Sequence, residues 1–304
     1  SHNPTLAHPQ MTHLPALPCY LNGTYTTIDK AQVSVMDRGF IFGDGIYEVV
    51  PVYAGTPFRM QHHLDRMQRS LTESRIKNPM TETAWRAVIS KLITQYAAQR
   101  EVAVTQSDQM VYIQVTRGVG MRDHVMPENI EPTVYLMTNE MKMPSASDRE
   151  NGVTCVTADD FRWERAHIKS TSLLGAVFAR QISFDANATE TVMFRGDLLS
   201  EAAASNVWVV KNGTVFGPAK SNLVLEGIRY DLIAEICAEA AIPYTLGDIT
   251  RADVLNADEL LLTSATKEVL AITRLDGKPV GQGTPGPVYD KLYAGYQLAK
   301  RKGN

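Results

Sequence analysis

Lys169 and its neighbours are the first candidate for chemistry in this chain. Small hydroxyl residues at 170–172 follow the lysine, and a run typical of a helix comes next. Its apolar neighbours are Ile168, Leu173, Leu174 and Val177. They predict a partly desolvated amine, and desolvation lowers the pKa of a lysine and frees its neutral form for Schiff base formation. A solvated lysine is the competing interpretation, because most lysines of globular proteins lie at the surface.

Glu201 is the second candidate, and it precedes a segment rich in strand-forming residues. Small residues at 202–205 follow it and would leave room for a flat ring beside the carboxylate. A carboxylate at a pyridinium nitrogen keeps that nitrogen protonated and the ring an electron sink. The lysine and the acid together indicate pyridoxal phosphate chemistry. For Glu201 alone, a surface acid on a loop is the competing interpretation.

Three further features could bind the phosphate of such a cofactor. Gly227 and Ile228 begin a predicted helix, whose first amides and dipole favour an anion. Residues 263–266, which include Ala265, follow a predicted strand and offer amides and hydroxyls. Arg66 could add a bidentate cation. Each feature alone occurs in many α/β proteins, so only the combination indicates a phosphate site.

The loop at 117–124 contains Arg122 and His124, two residues apart. Two such donors could hold a substrate carboxylate, and a solvated loop is the competing interpretation. Upstream, three glycines interrupt the aromatic and β-branched run at 37–50. This run predicts either a bulged strand or a site where a ligand approaches the backbone.

Hydrophobic periodicity predicts the elements that position these residues. In the first half, Asn22-Gly23 predicts a type I′ hairpin, and the remaining patterns predict helices over 60–71 and 82–97 and strands over 110–116 and 133–137. In the second half we expect strands over 153–157, 191–194, 206–210 and 259–263, and helices over 172–185, 227–240 and 287–299.

The chain thus reads as an α+β protein in four segments. These are an N-terminal tail at 1–18, a small α/β domain at 19–138, an interdomain linker at 139–151 and a larger α/β domain at 152–304 that carries Lys169.

Composition excludes several classes of protein. Thirty Lys and Arg stand against thirty-three Asp and Glu, for a net charge of -3, and no basic run occurs, so nucleic acid is not an expected partner. The three cysteines lie far apart without zinc-ligand spacing, so we expect no metal site, no disulfide framework and a cytoplasmic location. No apolar run reaches the roughly 18 residues that span a bilayer.

Several blocks, in order along the chain, resemble the fold type IV pyridoxal phosphate enzymes. They are residues 37–50, 116–118 and 168–176, Glu201 with residues 205–207, and residues 225–228. This group contains D-amino acid transaminases, branched-chain aminotransferases and aminodeoxychorismate lyases, and the resemblance is greatest to the first. It implies a two-domain aminotransferase with pyridoxal 5'-phosphate as cofactor. The implied reaction moves an amino group between a D-amino acid, such as D-alanine or D-glutamate, and a 2-oxo acid, such as pyruvate or 2-oxoglutarate.

The resemblance also implies roles for individual residues. Lys169 would bind the cofactor covalently and shuttle the proton, Glu201 would contact the pyridine nitrogen, and Leu225 would pack on the ring face. The phosphate would be held by Arg66, the amides of Ile228 and Arg229, and the region of Ala265. The family member with which this chain is compared has threonine where Arg229 stands and a hydroxyl residue where Ala265 stands, so here the phosphate would depend more on amides or on a new cation.

For the substrate, the resemblance implies a carboxylate trap. Tyr47 would act with Arg122 and His124 from the neighbouring subunit, which implies a homodimer. A branched-chain L-amino acid aminotransferase or an aminodeoxychorismate lyase would share Lys169 and Glu201, so only the loop distinguishes them. A non-catalytic α/β binding protein with a surface Lys169 is the remaining alternative.

Overall fold

The computed structural model describes residues 13–225 and 227–302. The chain forms two compact units. One contains the residues up to Pro57 together with Leu71–Met141, and the other contains Phe58–Ser70 and the residues from Lys142 onward. Most of the N-terminal tail predicted at 1–18 lies outside the described residues. Within the described part, none of the helices combines the length and apolar character needed to span a membrane.

The first unit is built on one antiparallel sheet of six strands. They are β1 (Pro18–Leu21), β2 (Thr24–Thr27), β3 (Gly45–Tyr53), β4 (Thr56–Pro57), β5 (Gln109–Thr116) and β6 (Thr133–Glu140), in the spatial order β2-β1-β6-β5-β3-β4. The helices up to this point of the chain are α1 (Arg38–Phe42), α2 (Met60–Glu73) and α3 (Glu82–Gln99), with a short 3-10 helix at Val104–Gln106. Most of α2 belongs to the second unit.

The hairpin and the helices predicted in this half of the chain are confirmed. Asn22 and Gly23 have φ values of 48° and 94°, and both are positive as a type I′ turn requires. Leu21 pairs with Thr24 across the turn. Helix α3 buries the predicted apolar stripe, which includes Trp85.

Residues 38–42 form a helix, so the prediction of a bulged strand is wrong there. Asp37 caps the helix by accepting a hydrogen bond from the Gly39 amide at 2.8 Å, and Gly43 ends it in a left-handed conformation. A Cβ at Gly39 would collide with the Thr116 side chain, so this glycine lets α1 lie close to β5. A helix of five residues is too short to show helical periodicity in the sequence.

The second unit contains a sheet of nine strands. They are β7 (Val153–Asp159), β8 (Glu190–Arg195), β9 (Leu198–Ala202), β10 (Asn206–Lys211), β11 (Thr214–Pro218), β12 (Tyr244–Gly247), β13 (Glu259–Ser264), β14 (Glu268–Leu275) and β15 (Lys278–Pro279). The helices of this unit, besides α2, are α4 (Ala146–Asn151), α5 (Leu174–Asp185), α6 (Arg229–Glu239), α7 (Arg251–Leu255) and α8 (Pro287–Lys302).

This sheet curls so that its edge strand β9 approaches β10, the next strand in the chain. The spatial order is β12-β11-β10-β13-β14-β7-β8-β9, with β15 beside β14. The chain turns directly from β9 into β10, and the Ala202 amide donates to the Ser205 carbonyl at 2.8 Å. Strand β9 contributes Leu199 and strand β10 contributes Val207 to the same buried apolar core. Burial of this core is the main stabilising contribution to the unit.

The prediction of an α+β protein is confirmed. The strands and helices predicted for the second half all exist, with ends shifted by a few residues. The patterns miss strand β9, whose five residues show no alternation because four of them are buried. Glu201 therefore lies in a strand, and its interpretation as a surface acid on a loop is wrong. The linker at 139–151 stays a prediction; helix α4 occupies its second half.

Candidate active site

Glu201 is a buried acid on strand β9 with 5% of its surface exposed. Its Oε1 lies 2.7 Å from Nη1 of Arg162, and its Oε2 accepts a hydrogen bond of 3.4 Å from Nδ2 of Asn206. Burial raises the pKa of Glu201 to about 7, while the Arg162 guanidinium acts to lower it. Perturbed acids of this kind are typical of functional sites.

Asp160 holds Arg162 beside Glu201. Nε and Nη2 of Arg162 donate to the two oxygens of Asp160 at 3.0 and 2.9 Å, and the Ser200 hydroxyl donates to Asp160 at 2.7 Å. Burial acts to raise the pKa of Asp160, but its hydrogen bond and ion pair with Arg162 outweigh burial and hold that pKa below its usual value. Because Arg162 is shared between two acids, its charge does not fully offset the burial of Glu201.

Asn206 connects Glu201 to the segment around Leu225. Its Nδ2 also donates to the Leu225 carbonyl at 3.1 Å. The backbone of Leu225 in turn forms a hydrogen bond with the Glu201 carboxylate. A Cβ at Gly227 would collide with Oδ1 of Asn206, so the close approach of the chain at this point requires glycine. The structure thus brings two predicted cofactor residues, Glu201 and Leu225, together.

The start of helix α6 fits an anion. Ile228 precedes the helix and supplies no side-chain cap among the described residues, and a helix N-terminus favours negative charge. Arg229 is 3% exposed; its Nε donates to the Tyr296 hydroxyl at 3.2 Å, and its buried Nη2 has no hydrogen-bond partner in the described part of the chain. A buried donor without an acceptor is costly, and a phosphate oxygen would satisfy it.

The two other residues predicted to bind phosphate also lie in the second unit. Arg66 is 6% exposed on helix α2. Ala265 follows strand β13 and is half-buried, in a turn where the Lys267 amide donates to the Ser264 hydroxyl at 3.0 Å. Thr263 of β13 pairs with Asn206 of β10. The Ala265 turn therefore follows β13 at the end of the sheet where Asn206 contacts Glu201.

Lys169 is half-buried in the irregular segment between β7 and α5. Two contacts hold this segment near the residues described above. Arg162, upstream, pairs with Glu201, and Nδ2 of Asn222 donates to the Glu164 carbonyl at 2.8 Å. Asn222 lies three residues before Leu225. The segment that carries the lysine is therefore connected both to Glu201 and to the segment around Leu225.

The apolar surroundings predicted for Lys169 are only partly present. Ile168 is buried, but Leu173, Leu174 and Val177 are 38%, 69% and 60% exposed, so the prediction that they desolvate the amine is wrong. The reason is the orientation of helix α5, which buries the face with Ala179 and Ser183.

In the first unit, Arg122 and His124 contact one aromatic ring. Cζ of Arg122 lies 5.2 Å from the centre of the Phe42 ring, and the His124 ring lies 5.3 Å from it. Arg122 and His124 are both exposed. A cation over an aromatic face is held in place and keeps its donors for another partner. Phe42 therefore holds both side chains at the surface of the loop.

Tyr47 lies on strand β3 of the same unit. It pairs with Gln114 of β5, and its ring centre is 5.9 Å from that of Tyr112. The Tyr112 hydroxyl donates to Gln114 at 2.6 Å, and burial, followed by the nearby Tyr47 and Tyr135, raises the pKa of Tyr112 to about 12. Tyr112 therefore stays protonated at neutral pH, and its hydroxyl and the Gln114 amide form a polar group beside Tyr47.

Several residues that shape these clusters were not predicted as site residues. Asp160, Arg162 and Asn206 surround Glu201, and Phe42 supports the loop at 117–124. The acids and arginines that precede Lys169 in the sequence could have identified Arg162 as a candidate site residue. Asn206 and Phe42 lay inside the blocks that carry the family resemblance, but spacing alone does not reveal their contacts.

Comparison with known proteins identifies the family of this chain. A family model described as amino-transferase class IV matches residues 45–275. A D-alanine aminotransferase of Bacillus licheniformis is 34% identical over 276 residues, which cover 91% of this chain and 94% of that protein. A D-alanine aminotransferase of Listeria innocua is 35% identical over 268 residues, which cover 87% and 90%.

Solved structures match the fold over nearly the whole chain. The branched-chain aminotransferase of the archaeon Thermoproteus uzoniensis, solved with norvaline, has a TM-score of 0.81 at 19% identity, covering 93% of this chain and 94% of that chain. A fold IV-transaminase from Curtobacterium pusillum has a TM-score of 0.77 at 21% identity, covering 89% and 92%. The predicted fold type IV architecture is thereby confirmed. Because the family model spans most of its length, this chain belongs to the class IV aminotransferases.

Proposed function

We propose that this chain is a pyridoxal phosphate-dependent transaminase that exchanges an amino group between a D-amino acid and a 2-oxo acid. The observation that carries the proposal is the pair of exposed donors, Arg122 and His124, around Phe42. Such a pair suits the carboxylate that amino acids and 2-oxo acids share. The D-alanine aminotransferases at 34% and 35% identity support D-alanine as a substrate, with D-glutamate, pyruvate and 2-oxoglutarate as further candidates.

Residues of the second unit would hold the cofactor. We assign its covalent attachment to Lys169, its ring nitrogen to Glu201 and its ring face to Leu225. Its phosphate is assigned to Arg66, Ile228, Arg229 and Ala265. The fit rests on the buried Glu201 carboxylate and on Nη2 of Arg229, which is buried without a hydrogen-bond partner among residues 13–225 and 227–302. When bound, the cofactor supplies the electron sink that stabilises negative charge at the substrate α-carbon.

The protein's own groups move the proton and orient the substrate. The Lys169 amine removes the α-proton of the substrate as a general base and returns it as a general acid. Arg122 and His124 bind the substrate carboxylate, with Tyr47 as the third member of the trap. Glu201, whose pKa burial raises to about 7, would hold the ring nitrogen of the cofactor with a carboxylate that Arg162 already contacts at 2.7 Å.

The alternatives differ in their support. The match to the class IV aminotransferase family supports an enzyme and not a non-catalytic binding protein. The branched-chain aminotransferase structure shares 19% identity with this chain and so bears on its fold, not on its substrate. The D-amino acid transaminase is preferred over a branched-chain enzyme or an aminodeoxychorismate lyase because the resemblance assigns Arg122 and His124 to its carboxylate trap, and because two D-alanine aminotransferases are 34% and 35% identical to this chain.

The test is conversion of single enantiomers. Purified protein loaded with pyridoxal phosphate should lose its visible absorbance band faster with D-alanine than with L-alanine. Lys169→Ala should lack the band. Faster conversion of L-alanine or L-leucine would contradict the assignment to D-amino acids.

The donor pair is tested separately. Replacing Arg122 and His124 with alanine should abolish conversion of D-alanine, whereas Met121→Ala is the matched control because Met121 is 86% exposed on the same loop. An L-specific enzyme should tolerate the double change. Equal losses in the double variant and in Met121→Ala would mean that the loop acts only through its fold.

We also propose a homodimer in which Arg122 and His124 complete the neighbouring active site. Leu174, Val177 and Phe178 form an exposed apolar stripe on α5, at 69%, 60% and 59% exposure, and such stripes are typical of subunit contacts. Sedimentation velocity measures the assembly directly.

A cytoplasmic location is a further proposal, supported by three cysteines that are buried and unpaired.

A further inference from the structure

Arg38, the first residue of helix α1, holds the backbone of the loop that carries Arg122 and His124. Its Nη1 donates to the carbonyl of Asp123, and its Nη2 donates to the carbonyl of His124 at 3.4 Å. Its backbone amide donates to the Gly118 carbonyl at 2.8 Å. Arg38 is 4% exposed. One buried residue therefore fixes three peptide groups of a loop whose Arg122 and His124 side chains are exposed.

Asp44 fixes Arg38 in turn. Its Oδ2 accepts from Nε of Arg38 at 2.7 Å, and both of its oxygens accept from Arg117, at 2.8 and 3.0 Å. Burial acts to raise the pKa of Asp44, but the two arginines outweigh burial and hold that pKa below its usual value. The carboxylate is thus ionised at neutral pH, and planar guanidinium groups bound to it have little freedom to rotate.

Helix α1 also supports the side chains of the loop. Cζ of Arg38 lies 4.8 Å from the centre of the Phe42 ring, the same ring that Arg122 and His124 contact. The helix therefore acts on the loop twice. Arg38 binds the loop's carbonyls, and Phe42, one turn further on, packs against the two exposed donors.

We infer that Arg38 is a positioning residue for substrate carboxylate recognition by Arg122 and His124. This inference rests on the proposed function, which assigns the carboxylate to that pair. Arg38 acts by orienting the loop and not by touching the substrate. Its planar fork bonds one carboxylate and two carbonyls at once, and a lysine ammonium at this position cannot reproduce that geometry.

The test compares Arg38→Lys with Arg117→Lys. Arg117 binds the same Asp44 and is similarly buried at 6% exposure, but its other donors bind the carbonyls of Ser74 and Arg75, not those of Asp123 and His124. For Arg38→Lys we expect a KM for D-alanine and an inhibition constant for propionate that are roughly ten- to hundredfold higher. The value of kcat and the dissociation constant of pyridoxal phosphate should change less than about threefold in both variants.

Hydrogen exchange supplies a readout that a general loss of stability would not reproduce. The Gly120 amide donates to the Met36 carbonyl and the Val125 amide donates to Oδ1 of Asp123. Both amide protons should exchange faster in Arg38→Lys and at the wild-type rate in Arg117→Lys. If Arg38→Lys does not fold, Asp44→Asn loosens Arg38 with little change in shape and should shift the same readouts in the same direction.

Two results would overturn the role of Arg38. One is a wild-type KM and propionate affinity in Arg38→Lys; the other is an equal rise of both constants in Arg117→Lys. If wild-type protein left D-alanine unconverted, the proposed function would fail. The role of Arg38 would then still be decided by propionate binding and by hydrogen exchange, since neither requires turnover.

Discussion

Arg162 lies 2.7 Å from Glu201, and the two side chains are 14% and 6% exposed. This pair differs from an ordinary ion pair because Arg162 also binds Asp160 through Nε and Nη2. Asp160 holds the guanidinium more fully than Glu201 does. Glu201 therefore keeps a raised pKa of about 7 beside a cation, and the chemistry proposed for the cofactor ring depends on how these three groups share their charge.

Arg162→Met should raise the pKa of Glu201 further and destabilise the protein. Removing one partner of a buried ion pair leaves an uncompensated acid, which costs about 3 kcal/mol in comparable cases. Urea denaturation of the cofactor-free protein measures the loss. Arg195→Met is the control. Nε of Arg195 lies 3.4 Å from Asp160 and its Nη2 donates to the carbonyls of Arg162 and Trp163, so this change removes contacts of Asp160 and its segment but no partner of Glu201. Equal losses in both variants would assign the effect to Asp160 and its segment and not to Glu201.

Glu201 should give the cofactor-free protein a distinctive pH dependence. Its pKa is about 7 in the folded state against 4.5 for an ordinary glutamate, so the folded state binds more protons than the unfolded state between these values. The free energy of unfolding should therefore fall as the pH rises through this window, by on the order of 3 kcal/mol in total.

Glu201→Gln should flatten this slope, because glutamine does not titrate. Asp44 and Asp160 do not interfere, since their lowered pKa values place their loss of stability at acid pH, as the pH falls below the ordinary value of 3.8. Denaturation curves at about pH 5, 6 and 7 for both proteins supply the comparison. A wild-type slope that persists unchanged in Glu201→Gln would show that another group titrates in this window.

Arg229→Met should weaken cofactor binding. The buried Nη2 of Arg229 has no partner among the described residues, so a phosphate oxygen would gain a charge-assisted hydrogen bond whose loss raises the dissociation constant roughly tenfold or more. Fluorescence titration with pyridoxal phosphate measures this constant. Asp231→Asn is the control in the same helical turn; removing its negative charge should leave binding equal or slightly tighter. Weaker binding in Asp231→Asn alone would contradict the anion site at the start of α6.

Much of the fold could be predicted from local patterns, and the reasons differ from element to element. Helix α3 has a long apolar stripe, and the turn at Asn22-Gly23 has a backbone requirement that few residues meet. Strand β9 and helix α1 are five residues each, shorter than the window in which either periodicity is visible. These two short elements place Glu201 and Phe42, so the sequence patterns are weakest where the candidate site is built.

The candidate site itself could be predicted as residue types but not as contacts. Lys169 and Glu201 could be proposed from the sequence because an amine and an acid in these surroundings suit one cofactor. Asn206 and Arg38 could not, because their importance lies in hydrogen bonds to backbone carbonyls far away in sequence, at Leu225 and at Asp123 and His124. The exposure of the apolar face of α5 could not be predicted either, because an apolar stripe has the same sequence pattern whether it packs on a core or lies at the surface.

Gly227→Ala should disturb Glu201 through Asn206. A Cβ at this position would collide with Oδ1 of Asn206, whereas nothing lies within 4 Å of a Cβ at Gly247. Gly247 has no positive φ, so Gly247→Ala is a control that adds the same methyl group without the collision. We expect Gly227→Ala to lower the free energy of unfolding by about 2 kcal/mol, as overpacking does elsewhere, and to weaken pyridoxal phosphate binding, while Gly247→Ala does neither.

A double-mutant cycle locates the effect of that methyl group. Asn206→Ala removes the atom with which the new Cβ collides, and it also removes the donor to Glu201 and Leu225. If the collision is the cause, Gly227→Ala should lower the free energy of unfolding much less in the Asn206→Ala background than in wild type. Substitutions at residues in direct contact usually depart from additivity by about 0.5 kcal/mol or more. Additive losses would mean that Gly227 acts on helix α6 and not on Asn206, and the connection from the start of α6 to Glu201 would then have to depend on the Leu225 backbone alone.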